Sequence, residues 1–293
     1  MHVFVTGGTG LIGGAVVREL VAHGHTVSSL ARSDLSARTA ADAGAEPVRG
    51  SISDLDVVRA AAGNADGVVH LAFDHSALSE DAWARAIEEE SAAVGAIGEA
   101  LRDSDRPFAV VSGTPMMAGE VATEDDPLPL EGPVAGRSRT VTGVLALADQ
   151  GVRSVAVRMP RTVHANGEGG FAGILTTMAR GSGVSGVPGD GTQRWPAVHA
   201  DDAAALFRLA LEKAPAGTAW HAVAEEGVRV ADTAEVIGRR LGVPVRPVPD
   251  ETFGALGSVF RMDQPASSRR TRTELGWDPT HPGLLEDLEL ITP

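Results

Sequence analysis

Thr6-Gly7-Gly8-Thr9-Gly10-Leu11-Ile12-Gly13 follows the apolar run His2-Val3-Phe4-Val5 directly and opens a stretch of helical periodicity over residues 11–22. Glycines at such spacings are a weak signal alone, but a strand before them and an amphipathic helix after them give them meaning. Gly7 and Gly10 let the backbone turn tightly and approach a pyrophosphate. The helix start supplies N–H donors and partial positive charge, and Gly13 permits close packing of helix on strand. This unit predicts a dinucleotide-binding α/β domain.

Outward from the loop, β-branched runs at 26–30, 46–49, 67–71, 108–112 and 154–158 alternate with helical patterns at 55–62, 83–101 and 134–147. Alternation of this kind predicts a Rossmann-type, doubly wound parallel sheet with helices on both faces. On the longest helix Trp83, Ile87, Val94, Ile97 and Leu101 share one stripe, while Glu88-Glu89-Glu90 read as a solvated face. After Pro160 the pattern loosens into Gly- and Pro-rich stretches, notably 166–170 and 181–191, separated by one short helical segment and expected to be functional loops. Helices return at 201–211 and 233–241, the second stopped by Gly242 and Pro244. The expected division is a dinucleotide-binding domain at 1–160, with returning segments from about 190–225, and a smaller C-terminal substrate-binding lobe at about 161–190 and 226–293.

Composition narrows the function. The 293 residues carry 39 acidic and 25 basic side chains, a net charge of −14, which argues against a nucleic-acid partner. No apolar run approaches the roughly 18 residues of a membrane span, and no basic leader precedes the first strand, so a cytoplasmic protein acting on a small molecule is expected. There is no cysteine, which excludes disulfides, thiol nucleophiles and Cys-ligated zinc. Tyrosine is absent as well, and Lys213 is the single lysine. The nine histidines form no His-x-x-x-His pair, so no metal is expected, and Gly-x-Ser-x-Gly is missing too.

The end of the second strand chooses between dinucleotides, because an acid there takes ribose hydroxyls whereas an arginine accepts a 2′-phosphate. Ser28-Ser29-Leu30-Ala31-Arg32-Ser33 stands there, with Asp34 one step on, opening the next helix. Arg32 and Ser33 favour NADP(H) over NAD(H).

The glycine loop, Val68-Val69-His70-Leu71-Ala72 and Val110-Val111-Ser112-Gly113-Thr114 together resemble the short-chain dehydrogenase/reductase superfamily. Arg158-Met159-Pro160-Arg161-Thr162-Val163-His164 is similar to its Arg-Pro-x-x-Val-Tyr-Gly segment. Trp195-Pro196-Ala197-Val198-His199-Ala200-Asp201-Asp202-Ala203 is similar to its Val-His-Val-x-Asp-x-Ala segment. Both belong to the extended and atypical, epimerase/dehydratase-like branch, and the resemblance runs from residue 2 to roughly 280. It implies cofactor contacts from Gly7, Thr9, Gly10, Leu11, Ile12, Gly13, Arg32, Leu71, Ala72, Phe73, Ser112, Pro160, Thr162 and Val163. Ser51 stands where an adenine-binding Asp is common. It also implies a four-helix homodimer interface built from the 83–101 and 134–147 helices.

One departure is catalytic. The superfamily's Tyr-x-x-x-Lys should fall within 133–147, where Arg137-Ser138-Arg139-Thr140 stands instead. That Tyr protonates a developing alkoxide, and the Lys lowers its pKa and holds the nicotinamide ribose. Arg137 or Arg139 can supply the charge and the ribose hydrogen bonds, but a guanidinium is a poor proton donor at neutral pH, so another acid or a water must do that job.

Ser112, at the carboxyl end of a strand, is a candidate to polarise a carbonyl or imine; a turn-forming serine fits the same residues. His75, next to Asp74, is the first choice of replacement acid. Asp74, Thr114, His164, Phe171 and Trp195 are candidates to face substrate, the two aromatics from loops. A structural histidine is the other reading of His164, and core packing that of Phe171 and Trp195. His199 with Asp202 is expected to anchor the C-terminal lobe. The leading reading is an NADPH-dependent oxidoreductase reducing a small carbonyl or imine, an imine nitrogen being able to arrive already protonated. A non-redox isomerase, cyclase or epimerase and an NADP(H)-binding redox sensor are the alternatives.

Overall fold

The computed structural model describes residues 1–74, 79–132 and 134–292. The chain forms two compact units, one of residues 1–112, 128–158 and 204–220, the other of 113–127, 159–203 and 221–293. The segment returning to the first unit is narrower than the 190–225 read from sequence, because 194–199 pair within the second unit.

In chain order the first unit is built from β1 (His2–Thr6), α1 (Leu11–Ala22), β2 (Thr26–Ala31), α2 (Asp34–Asp42), β3 (Glu46–Arg49), α3 (Leu55–Gly63), β4 (Gly67–His70), α4 (Glu80–Leu101), β5 (Pro107–Gly113), α5 (Ala135–Leu145) and β6 (Arg153–Met159). After β7 (Thr162–His164), α6 (Gly170–Ser182), β8 (Ser185–Pro188) and β9 (Arg194–His199), the chain runs through α7 (Ala200–Lys213) into β10 (Thr218–His221). The seven-stranded sheet has the order β10-β6-β5-β4-β1-β2-β3, with β1 parallel to β2 and β4 in the middle. The strand order reverses beside β1, so its carboxyl end, where the glycine loop begins, is the place where open α/β sheets bind ligands.

Strand alternation sends Phe4, Val68, Phe108 and Val110 to one face, where they pack with Val58 and Ala62 of α3, Val94 and Ile97 of α4 and Val141 and Val144 of α5. Each of the buried Phe, Val and Ile side chains contributes roughly 1.5–3 kcal/mol by leaving water. The second unit holds a three-stranded sheet, β11 (Glu225–Arg229) with β9 and β7, and a pair of β12 (Val245–Val248) with β8. Its core is aromatic, with Trp195, Phe253 and Phe260 buried beside Ile237 of α8 (Val230–Leu241). Among the described residues no helix is long and apolar enough to cross a membrane.

Candidate functional site

Gly7 adopts φ +72°, and a Cβ there would lie 2.8 Å from the backbone N of Ala72 and the carbonyl carbon of Leu71. The loop therefore nests against the chain leaving β4, and a side chain would push it off. Gly13 is tighter still, its imagined Cβ 2.0 Å from the Gly7 carbonyl oxygen. Gly10, by contrast, would meet only that oxygen at 3.6 Å, so the loop's outer surface is open. Gly10 N-caps α1 with no side-chain hydrogen bond, and the first turn carries no acidic residue. The N–H groups of Leu11 and Ile12 and the positive helix end are thus left for an anion. This geometry fits a dinucleotide pyrophosphate.

At the adenosine end, Arg32 is exposed directly after β2. Ser33 is more committed than the sequence implied, because its hydroxyl and that of Ser36 form a reciprocal cap on α2. Asp34 opens α2 as read, and pairs with Arg49. Ser51 donates both its N–H (2.7 Å) and its hydroxyl (3.1 Å) to Asp54, so its proton serves the turn before α3 rather than adenine.

Toward the other end of the loop, the Thr6 hydroxyl accepts the N–H groups of Leu71 (3.2 Å) and Ala72 (3.3 Å), and its own proton points to His70 Nδ1 at 2.9 Å. His70 is fully buried, and among the described residues Nε2 has no partner. Burial, and after it the charge of Arg137, lower its pKa from 6.5 to about 4. The ring is neutral at pH 7. Between pH 6.5 and about 4 the unfolded chain binds a proton that folded His70 refuses, so stability falls as pH drops through that window. The loss is of order 3 kcal/mol. Urea midpoints at pH 7 and pH 4.5 check this, with His70→Gln expected to be markedly less acid-sensitive than the wild type.

Arg137 does not stand alone. Its Nε and an Nη donate to the two oxygens of Glu90 at 3.0 and 2.7 Å, and its guanidinium lies 4.0 Å above the Phe73 ring centroid. Phe73 in turn meets Trp83 edge-on at 5.0 Å. The Glu90 side chain is only 2% exposed, which overturns its reading as part of a solvated triplet; Glu88 and Glu89 are exposed as read. Its position was legible, for Trp83, Ile87, Glu90, Val94, Ile97 and Leu101 form one uninterrupted stripe of alternating four- and three-residue steps. Ser112 is nearly buried at the end of β5, on the sheet face of Val110, which pairs in register with His70. Asp74 is exposed after β4, and His75 lies outside the described residues.

In the second unit, Pro160 and Val163 are buried around the start of β7, and Thr162 buries a hydroxyl with no partner among the described residues. The Thr114 N–H donates to the Met159 carbonyl at 2.9 Å. His164 is buried with Nδ1 3.1 Å from an Asp287 oxygen, and burial lowers its pKa against the opposing pull of that carboxylate. It is structural rather than substrate-facing. Phe171 and Trp195 lie on α6 and β9, not in loops, and pack against Phe260 at 4.8 and 5.3 Å. Trp195 is 2% exposed and donates its indole N–H to the Met262 carbonyl, which makes it core.

A match to the NAD dependent epimerase/dehydratase family covers residues 3–223. The chain belongs to that family. An uncharacterized protein of Schizosaccharomyces pombe is 41% identical, covering 98% of each chain. A 3-diazoavenalumate denitrifying reductase of Streptomyces sp is 29% identical, covering 98% of this chain and 99% of that one. Among solved structures, the dTDP-glucose 4,6-dehydratase DesIV of Streptomyces venezuelae, with NAD and TYD bound, superposes with a TM-score of 0.79 at 21% identity, over 99% of this chain and 96% of that one. That likeness confirms the fold.

Within this epimerase/dehydratase chain the C-terminal anchor is Asp202 with His281, not with His199. Asp202 accepts the N–H groups of Thr280 (3.0 Å) and His281 (3.1 Å) and contacts His281 Nδ1 at 2.7 Å. His199 accepts the Asp201 N–H and stacks on His281, the rings 4.8 Å apart and within 7° of parallel. His199, Asp201 and His281 bring possible ligand atoms within 4.8 Å of one another. A metal ion lies near the plane of each imidazole it binds, however, and two stacked parallel rings do not converge on one point.

Proposed function

We propose that this epimerase/dehydratase-family chain is an NADPH-dependent oxidoreductase that reduces a small organic carbonyl or imine. The observation that carries the reading is the uncapped, acid-free start of α1 behind Gly7, Gly10 and Gly13, at the carboxyl end of the central strand. Gly7, Thr9, Gly10, Leu11, Ile12 and Gly13 would hold the pyrophosphate, Arg32 the 2′-phosphate, and Leu71, Ala72, Phe73 and Ser112 the nicotinamide half. The bound nicotinamide supplies hydride.

The chain's own residues set the stage. Thr6 ties the glycine loop to the exit of β4, so the strand ends that flank the cofactor move as one. Arg137, gripped by Glu90 and stacked on Phe73, would present a fixed planar guanidinium in the helix where the resemblance expects Tyr and Lys. Ser112 offers a hydroxyl to the reacting group. The full-length relative that is a denitrifying reductase supports a reducing rather than an isomerising role.

Incubating the protein with NADPH and a panel of carbonyls and imines tests this. The expected result is loss of reduced-nicotinamide absorbance, one equivalent per equivalent of product. Conversion of a substrate with no net loss of NADPH would identify a non-redox isomerase instead.

A further inference from the structure

An arginine drawn partly out of water usually faces a carboxylate, because desolvating a lone cation is costly. Arg161, between β6 and β7, breaks that pattern. It is half-buried in the second unit, and among the described residues it forms no ion pair. Burial pulls its pKa from 12.5 down to about 10, with no acid opposing the shift. The guanidinium is therefore charged at pH 7 and uncompensated.

Neutral groups fix its direction. Nη2 donates to Gln264 Oε1 and reaches Met262 Sδ at 3.9 Å, and Gln264 Nε2 contacts the same sulfur at 3.4 Å. The guanidinium carbon lies 5.0 Å from the Phe171 ring centroid, over the ring. Nε and Nη1 have no acceptor among the described residues. Two acids nearby in sequence are no help to it. Asp263, between the residues that hold Nη2, gives its oxygens to the backbone N–H, Nε and Nη2 of Arg194. Glu168 is exposed ahead of α6 and has no ion pair among the described residues.

Phe171, whose ring lies under the guanidinium, belongs to the first turn of α6. Gly169 caps that 13-residue helix without a side-chain hydrogen bond, and the first turn carries no acid, so its positive end is uncompensated too. Gly170 permits the close approach. At φ +56°, its imagined Cβ would lie 2.6 Å from Thr162 Cα and 3.1 Å from the Arg161 carbonyl oxygen. That oxygen accepts the Phe171 N–H at 3.3 Å, which ties the helix start to the arginine's own backbone.

One guanidinium and a helix end equivalent to roughly half a charge match a monoanion better than a dianionic phosphate. The planar donor fork suits a carboxylate, and Phe171 and Met262 beside it suit an apolar body. We propose that Arg161 and the start of α6 form an anion site in the second unit, and that its ligand is the carboxylate of a small, mostly apolar organic acid. The site lies wholly within that unit and needs no dinucleotide, so its outcome stands apart from the reductase reading.

Calorimetric titration of the full-length protein with benzoate, benzamide and inorganic phosphate, and of Arg161→Gln with benzoate, tests this. Expected is saturable benzoate binding, at least about tenfold tighter than that of the neutral amide or of phosphate, and at least tenfold weaker in Arg161→Gln. Because the substitution removes an unpaired cation, the urea midpoint of the variant is expected to be unchanged or higher. Absence of saturable benzoate binding, benzamide or phosphate binding as tightly as benzoate, or benzoate binding unaltered in Arg161→Gln each overturns the proposal. A fallen urea midpoint with unaltered benzoate binding would show that Arg161 is architectural instead.

Discussion

Glu90→Ala is expected to destabilise the protein by about 3–5 kcal/mol, because it leaves the Arg137 guanidinium buried without its counter-charge. The Glu90 side chain is 2% exposed and that of Arg137 19%, so water cannot fully replace the lost carboxylate. The pair also bridges α4 and α5, whose packing includes Val94 and Val141. Replacing both partners, as Glu90→Leu with Arg137→Met, removes the charge and its partner together and is expected to recover most of the loss. Urea unfolding at pH 7 of the wild type, the single variant and the double variant decides the matter. A single variant within about 1 kcal/mol of wild type would mean that the pair is solvated and adds little to the joint between α4 and α5.

Gly13→Ala is expected to weaken dinucleotide binding at least a hundredfold, about 2.7 kcal/mol. A Cβ at this position would lie 2.0 Å from the Gly7 oxygen, 2.7 Å from its carbonyl carbon and 2.8 Å from Gly8 Cα. All three are backbone atoms of the loop itself, so no side chain can swing aside. Either α1 or the loop must shift, and both carry the donors aimed at the pyrophosphate. Gly14→Ala makes the control, since its Cβ meets the Arg18 side chain at an ordinary 3.5 Å. Calorimetric titration of both variants should show the loss confined to Gly13→Ala, with the fold retained by circular dichroism.

The first unit was legible wherever its signals are local. The bounds of β1 and α1 follow from a glycine loop set between a strand-like and a helical run, and Gly242 ends α8 in the left-handed conformation as its position implied. Glu90 was missed because it was grouped with its charged neighbours Glu88 and Glu89 rather than with the four- and three-residue stripe on which it falls, where Arg137 meets it. In the second unit, Trp195 was read as a loop residue because abundant glycine masks short strands and β7, β9 and β11 pair across distant parts of the chain, and Phe171 because Gly169 and Gly170 stand directly before it at the start of α6. Asp201 and Asp202 are neighbours in the first turn of α7, where successive side chains diverge by about 100°. Which of them holds His281 is decided by tertiary contacts, and sequence spacing is silent on it. The glycine loop was readable because its geometry is a backbone property. The Arg137–Glu90 pair was not, because it depends on which side chains meet.

Titrating the purified, cofactor-stripped protein with NADPH and separately with NADH, following nicotinamide fluorescence, tests the central claim most directly. Saturable binding of NADPH, at least tenfold tighter than that of NADH and reduced toward the NADH value by Arg32→Ala, is the predicted result. Binding of neither dinucleotide would contradict the account, and would leave the glycine loop as architecture without a ligand.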